Sequence, residues 1–244
     1  IGLTPPGWDP AATAEGDFGQ VAGGEASWSA QLTCAGKYGC HGDHSKDTND
    51  AGIRGAHHSN TDSTATRAFS PSTVGGSYRF LGGIKGLENS QWNWAETASV
   101  HNEYYGRDGN ANYDDKTTIN YSCAECHGDF HKTIGSTSPW VRHPTDIVLP
   151  DDTTKEYKFY NPENMHEYSL EAPVARPCVP FNSGKIVTPG DPMTAEGAIV
   201  SCLSCHRAHG SNRSDLLRWD YTDMIAGDNT QTGGCFICHT TKNN

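Results

Sequence analysis

Three segments of this chain repeat one five-residue pattern: Cys123-Ala-Glu-Cys126-His127, Cys202-Leu-Ser-Cys205-His206 and Cys235-Phe-Ile-Cys238-His239. Cys-x-x-Cys-His is the attachment signature of a c-type haem: each thiol adds to one vinyl group, and the adjoining imidazole is placed under the iron. With 9 Cys and 12 His in 244 residues, chance gives roughly 0.02 copies. A fourth candidate is irregular: Cys34 and Cys40-His41 end in the same Cys-His pair across a wider gap. Zinc knuckles also use paired cysteines, but a four-ligand site needs two knuckles per ion and gives no reason for His to follow every second Cys. Disulfides explain the cysteines and not the histidines. Haem c is the reading that uses every member of the pattern, with Cys34, Cys40, Cys123, Cys126, Cys202, Cys205, Cys235 and Cys238 as attachment residues. His41, His127, His206 and His239 are then the proximal iron ligands of four haems.

Composition bears on what such a chain can fold into. Leu, Ile, Val and Phe total 35 of 244, and the formal charge is −11. A chain that poor in aliphatic residues cannot bury enough apolar surface to offset its conformational entropy. Four large, flat, mostly apolar macrocycles resolve the conflict. The expected fold is therefore a multihaem cytochrome c: mostly irregular loops, with short helices and small β-hairpins, wrapped around a chain of four haems. The 27 Gly and 13 Pro supply the turns that a backbone curving around rigid discs requires. One domain over 1–244 is expected, because no stretch outside the haem segments carries a core of its own. Residues 1–33 form an N-terminal arm with Trp8, Phe18 and Trp28, docking on this subunit or on a neighbour. Small hairpins are expected among Ile147–Leu149, Lys155–Tyr160 and Lys185–Val187, and a short helix over Ser214–Trp219.

Haem c forms outside the cytoplasm, so the chain reads as exported, with its signal peptide already removed. No apolar run is long enough to span a membrane, and the acidic balance argues against nucleic acid and anionic membranes as partners.

Iron with a second protein ligand transfers electrons, whereas iron with an open position binds and transforms substrates. Eight histidines remain after the four proximal ones, and four irons need only four. Bis-histidine coordination throughout is the economical solution, and it makes the chain a carrier, not an enzyme. The pairs His206/His209, His127/His131 and His41/His44 stand three or four apart, on one face if the turn is helical. The second member cannot reach the far side of its partner's iron; as a ligand it must serve a different haem. The distal candidates are His57, His58, His101, His131, His143 and His209. His143 precedes Pro144, which holds its backbone extended; His44 and His166 read as surface imidazoles. Nine cysteines leave Cys178 over; it is a buried thiol or a disulfide partner of Cys34, and the two-thioether reading of the first haem is favoured.

Further segments carry a resemblance: Gly55–His58 (GAHH), Tyr78–Leu81 (YRFL) with Gly83–Gly86, His101–Tyr104, Trp140–Asp146 (WVRHPTD), Cys202–Ser211, Leu217–Tyr221 and Cys235–Lys242. Together they resemble the multihaem c-type cytochromes of metal-reducing bacteria, and most closely the filament-forming tetrahaem outer-surface cytochromes (extracellular cytochrome nanowires of the outer-membrane cytochrome E type). The irregular first motif departs from that family's usual spacing. The resemblance implies an extracellular, cell-surface homopolymer in which haems stack in pairs along the axis and a histidine of one subunit, here from the 44–58 segment, ligates a haem of the next. It implies redox-protein donors and extracellular acceptors. The alternatives are a soluble periplasmic tetrahaem shuttle and, from a different class, a multihaem reductase with one open haem.

Overall fold

Short apolar runs broken by Gly and Pro give short elements. The structure, a computed structural model, describes residues 4–8, 28, 31–42, 44, 46–53, 61–62, 81, 84–87, 96–109, 114–131, 143–154, 156–157, 159–179 and 184–242. Among the described residues there are three helices, α1 (Asn49–Gly52), α2 (Ile119–Ala124) and α3 (Cys202–Cys205), with single 3-10 turns at Gly128–Phe130, Ser214–Leu216, Tyr221–Asp223 and Gly234–Ile237. The strands are equally short. β1 (Thr33–Ala35) pairs in parallel with β2 (Gly39–His41). β3 (Thr61–Asp62), β4 (Gly86–Leu87) and β5 (Glu103–Tyr104) form an antiparallel sheet, and β6 (Ile147–Val148) pairs antiparallel with β7 (Ile199–Val200). Loops make up most of the rest, as a small multihaem cytochrome would have.

Two local expectations change. Ile147–Val148 does not turn back on its own neighbourhood; it pairs with Ile199–Val200, while Ile186 makes only a single bridge to Glu167. The Ser214–Trp219 segment is one 3-10 turn in place of a helix. Asp215 and Leu216 sit at φ +54° and +58°, and Leu217 bridges to His206, so the segment is bent onto the third motif. The motif histidines also lie off the helices: α3 ends at Cys205 with His206 extended, and His127 precedes a 3-10 turn. The i, i+3 and i, i+4 histidine pairs are therefore set by loops.

Among the described residues, buried apolar side chains fall into three clusters. The first joins Leu149, Tyr160, Tyr168, Val187, Trp219 and Ile237, among others, with Cys205, Cys235 and Cys238 packed against it. The second groups Ile84, Ile119, Tyr121, Ala124, Ala175 and Ile199. The third is Trp8 and Trp28 against Tyr38 and Cys126. The described part of the N-terminal arm thus packs on its own chain, the two indoles edge to face with centroids 5.6 Å apart; Phe18 lies outside the described residues. Among the described residues no helix is long and apolar enough to cross a membrane.

Candidate haem-binding sites

The first motif is rebuilt by strand pairing. Thr33 opposes Gly39 and Ala35 opposes His41, so Cys34 and Cys40 share one register and one face of the ribbon. Both thiols are exposed. Three residues, Gly36-Lys37-Tyr38, make the intervening turn, closed by Gly39 N donating to Gly36 O at 3.0 Å. The wide spacing is absorbed in that loop.

The regular motifs ride on short helical turns. Thr118 caps α2, its hydroxyl accepting from Tyr121 N at 3.3 Å. Ser201 precedes α3, its N–H donating to Ser204 Oγ at 3.1 Å. Asn120, fully buried, ties the two together: its amide donates to Val200 O (3.3 Å) and its oxygen accepts from Cys202 N (2.9 Å). The attachment thiols then follow one another through space in chain order. Cys40 lies within reach of the charge of Cys34 and Cys123, Cys202 hydrogen-bonds with Cys123, and Cys205 faces Cys235 and Cys238. Burial, with neighbouring thiols adding to it, pushes Cys205 up to about 11 and Cys238 up to about 12. All nine cysteines, Cys34 and Cys178 included, are free, and Cys178 is exposed where a buried thiol was one expectation.

Three motif imidazoles are anchored through Nδ1. His127 donates to Pro6 O at 2.7 Å, His206 to Asp215 O at 2.8 Å, and His239 to Glu156 Oε1 at 2.7 Å. An anchored Nδ1–H fixes the tautomer and leaves Nε2 as the free electron pair, the arrangement of a metal-bound histidine. Asp215 is left-handed, a conformation Asp tolerates better than most residues, and its carbonyl is the one that meets the His206 ring.

Two motif histidines face non-motif ones. His41 and His209 have ring centroids 6.1 Å apart, and His143 and His206 6.3 Å. Couples at these separations would each hold one haem iron between the two rings. His209 is thus brought to the first motif and not to its sequence neighbour His206, and His143 is brought to the third.

His101 is buried. Nδ1 donates to Thr97 O at 3.2 Å, the ring stacks on Tyr168 at 3.6 Å, and Nε2 is buried without a hydrogen-bond partner. Desolvation, helped by Arg176, lowers its pKa to about 4, so at neutral pH it is an uncharged imidazole, its Nε2 3.8 Å from Glu103 Oε1. Tyr168 belongs to the cluster against which Cys205 of the third motif and Cys235 and Cys238 of the fourth pack. His131 is buried after the 3-10 turn that follows the second motif. His57 and His58 lie outside the described residues. His44 is buried where a surface position was expected: Nε2 donates to Cys40 O at 3.2 Å and Nδ1 lies 3.7 Å from Glu125 Oε2, joining the first motif to the second. His166 is exposed.

Some residues of these sites carry no sequence signal. Arg176 is fully buried, donates Nη1 to Glu196 O at 3.1 Å, lies over the Tyr168 ring at 5.5 Å and sits 3.7 Å from Glu103. Glu103 stands two from His101, the spacing that puts alternate residues of an extended segment on one face; that was the available clue. Glu156 lies in an acidic loop with no pattern. Its carboxyl is held below the usual range, first by Lys242 and also by His239.

Residues 192–244, which hold the third and fourth motifs, match the family model of the doubled CXXCH motif. No curated protein and no solved structure matches the chain. The match indicates a multihaem c-type cytochrome, a haem-binding protein of electron transfer. The donor set fits that group: thiols paired for two thioethers, imidazoles anchored on one nitrogen with the other available, and apolar clusters against the cysteines. Among the described residues no three or more His, Cys, Asp or Glu side chains converge as a structural zinc would need.

Proposed function

We propose that the chain is an electron conduit carrying four c-type haems, each iron held between two histidines, and that it is the subunit of an extracellular filament. The observation that carries the conduit reading is the pair of imidazole couples, His41 with His209 and His143 with His206, each at a separation that would hold one haem iron between the two rings. In this reading His101 serves the haem of His239. His127 takes its second ligand from His57 or His58, of the same subunit or of a neighbour. Bound haem supplies the one-electron chemistry. The chain's residues do the rest: the thiols would hold each macrocycle, the hydrogen bonds of Pro6, Asp215 and Glu156 orient the imidazoles, and two histidines per haem would leave none of its ligand positions to a substrate. Hence the protein is a carrier without an enzyme's reaction. The resemblance over residues 34–242 and the histidines of the 44–58 segment support the filament, and with it a cell-surface location, polymer contacts between copies and redox-protein donors.

Substitution tests the ligand assignment. His209→Ala and His143→Ala are each expected to convert one haem from low to high spin, read as a high-spin ferric signal in electron paramagnetic resonance. Two variants that stay fully low-spin would remove both couples. Negative-stain images of the native preparation separate filament from soluble shuttle. A reductase would reveal itself by spectra that change on adding nitrite or cyanide.

A further inference from the structure

The motif histidines are not all anchored alike. His127 and His206 donate to neutral backbone carbonyls, of Pro6 and Asp215. His239 donates to a carboxylate, Glu156 Oε1, at 2.7 Å. The carboxylate is held where it is: Glu156 O accepts from Thr241 N at 3.2 Å and from Thr240 Oγ1 at 3.5 Å, and Oε2 accepts from Lys242 Nζ at 2.9 Å. Residues 240–242 directly follow His239, so the motif itself fixes the loop that anchors its imidazole.

A carboxylate draws the Nδ1 proton further than a carbonyl does and leaves the ring more imidazolate-like. A more basic ligand stabilises ferric over ferrous iron, and axial ligation with its hydrogen bonds is among the protein's means of setting haem potential. We propose that Glu156 is a positioning residue for the haem of His239, lowering its reduction potential below what a carbonyl anchor would give. Lys242, sharing the same carboxylate, moderates the effect. The inference rests on reading the fourth motif as a haem site. Its consequence is that the C-terminal haem gives up an electron more readily than it would with a carbonyl anchor.

The test uses the full haem-loaded protein, with haem number by intact mass, potentials by spectroscopic titration and the near-infrared charge-transfer bands by magnetic circular dichroism. In Glu156→Gln one wave moves to more positive potential, and the band of one haem moves to longer wavelength. Lys242→Met keeps the carboxylate and its Tyr157 hydrogen bond and removes the lysine's share, so both shifts reverse sign. Unchanged potentials and bands in a fully loaded Glu156→Gln overturn the inference. So does a potential shift without a band shift, which is the signature of a lost surface charge alone. If Glu156→Gln fails to take up the fourth haem, Lys242→Met decides by the same two readouts. A native protein of bare-chain mass would overturn the haem reading itself, an outcome distinct from haem-loaded variants that titrate like the native protein.

Discussion

Gly39 is the residue that makes the irregular first motif workable. A Cβ at this position would meet backbone atoms of Ala35 at 2.4 to 2.6 Å, contacts that no side-chain rotation relieves. Gly36, at φ +81°, would meet Thr48 O at 2.7 Å. Gly39→Ala must therefore push β2 off β1 and separate Cys34 from Cys40. The expected cost is about 1–3 kcal/mol of local stability, and intact mass should show one haem fewer. A Gly39→Ala protein that still carries four haems would mean that strand register does not position these thiols. His101→Ala should turn one haem high-spin; a spectrum unchanged in spin state would remove His101 from the ligand set. The cysteines and motif histidines were readable in the chain because thioether attachment demands their adjacency. The facing imidazoles were not, since His209 meets His41 from the far end of the sequence and only folding chooses among the surplus histidines. Glu156 and Arg176 were invisible for the same reason: each acts on a residue distant in sequence, and neither belongs to a local pattern.

Between elements, the contact to test is the one made by Asn120. This side chain on α2 satisfies Cys202 N at the start of α3 and Val200 O at the end of β7, and so fixes the second motif against the third. Asn120→Leu keeps the volume and leaves the Cys202 N–H unpaired, a loss of about 1–3 kcal/mol, while Val200 O keeps its bond from Asp146 N at 3.0 Å. A lowered melting temperature is expected, together with a changed exciton couplet in the Soret circular dichroism, because two neighbouring haems lose their fixed relation. Lower stability with an unchanged couplet would show that Asn120 supports the fold but does not set haem geometry. Prediction at this scale met its limit at the same place. Ile147–Val148 has strand composition, but its partner Ile199–Val200 stands some fifty residues on, beyond any hairpin signal. The Ser214–Trp219 segment has helical composition, yet it is bent into a left-handed turn that brings the Asp215 carbonyl to His206.

Across the whole molecule, the buried apolar side chains among the described residues form clusters of nine, six and two. The full chain holds only 35 Leu, Ile, Val and Phe in 244 residues, little for the single hydrophobic core that would ordinarily carry a fold. Cys205, Cys235 and Cys238 pack against the largest cluster and Cys126 against the smallest, so bound macrocycles would extend these clusters at their edges. The haem-free chain, made without the attachment machinery or with the eight motif cysteines replaced by alanine, should therefore lack a cooperative transition. Its near-UV circular dichroism should be weak, and calorimetry should show far less than the about 0.7 kcal/mol per residue of an ordinary globular domain. The loaded protein, unfolded under the same conditions, should give a sharp endotherm. If the haem-free chain melts cooperatively with an ordinary enthalpy, the polypeptide holds itself together and the macrocycles are passengers. Stability that instead rises with each attached haem, in variants missing one motif at a time, would make the same groups that carry electrons the interior of the fold. Spacing for electron transfer and packing for stability would then be one constraint on the sequence.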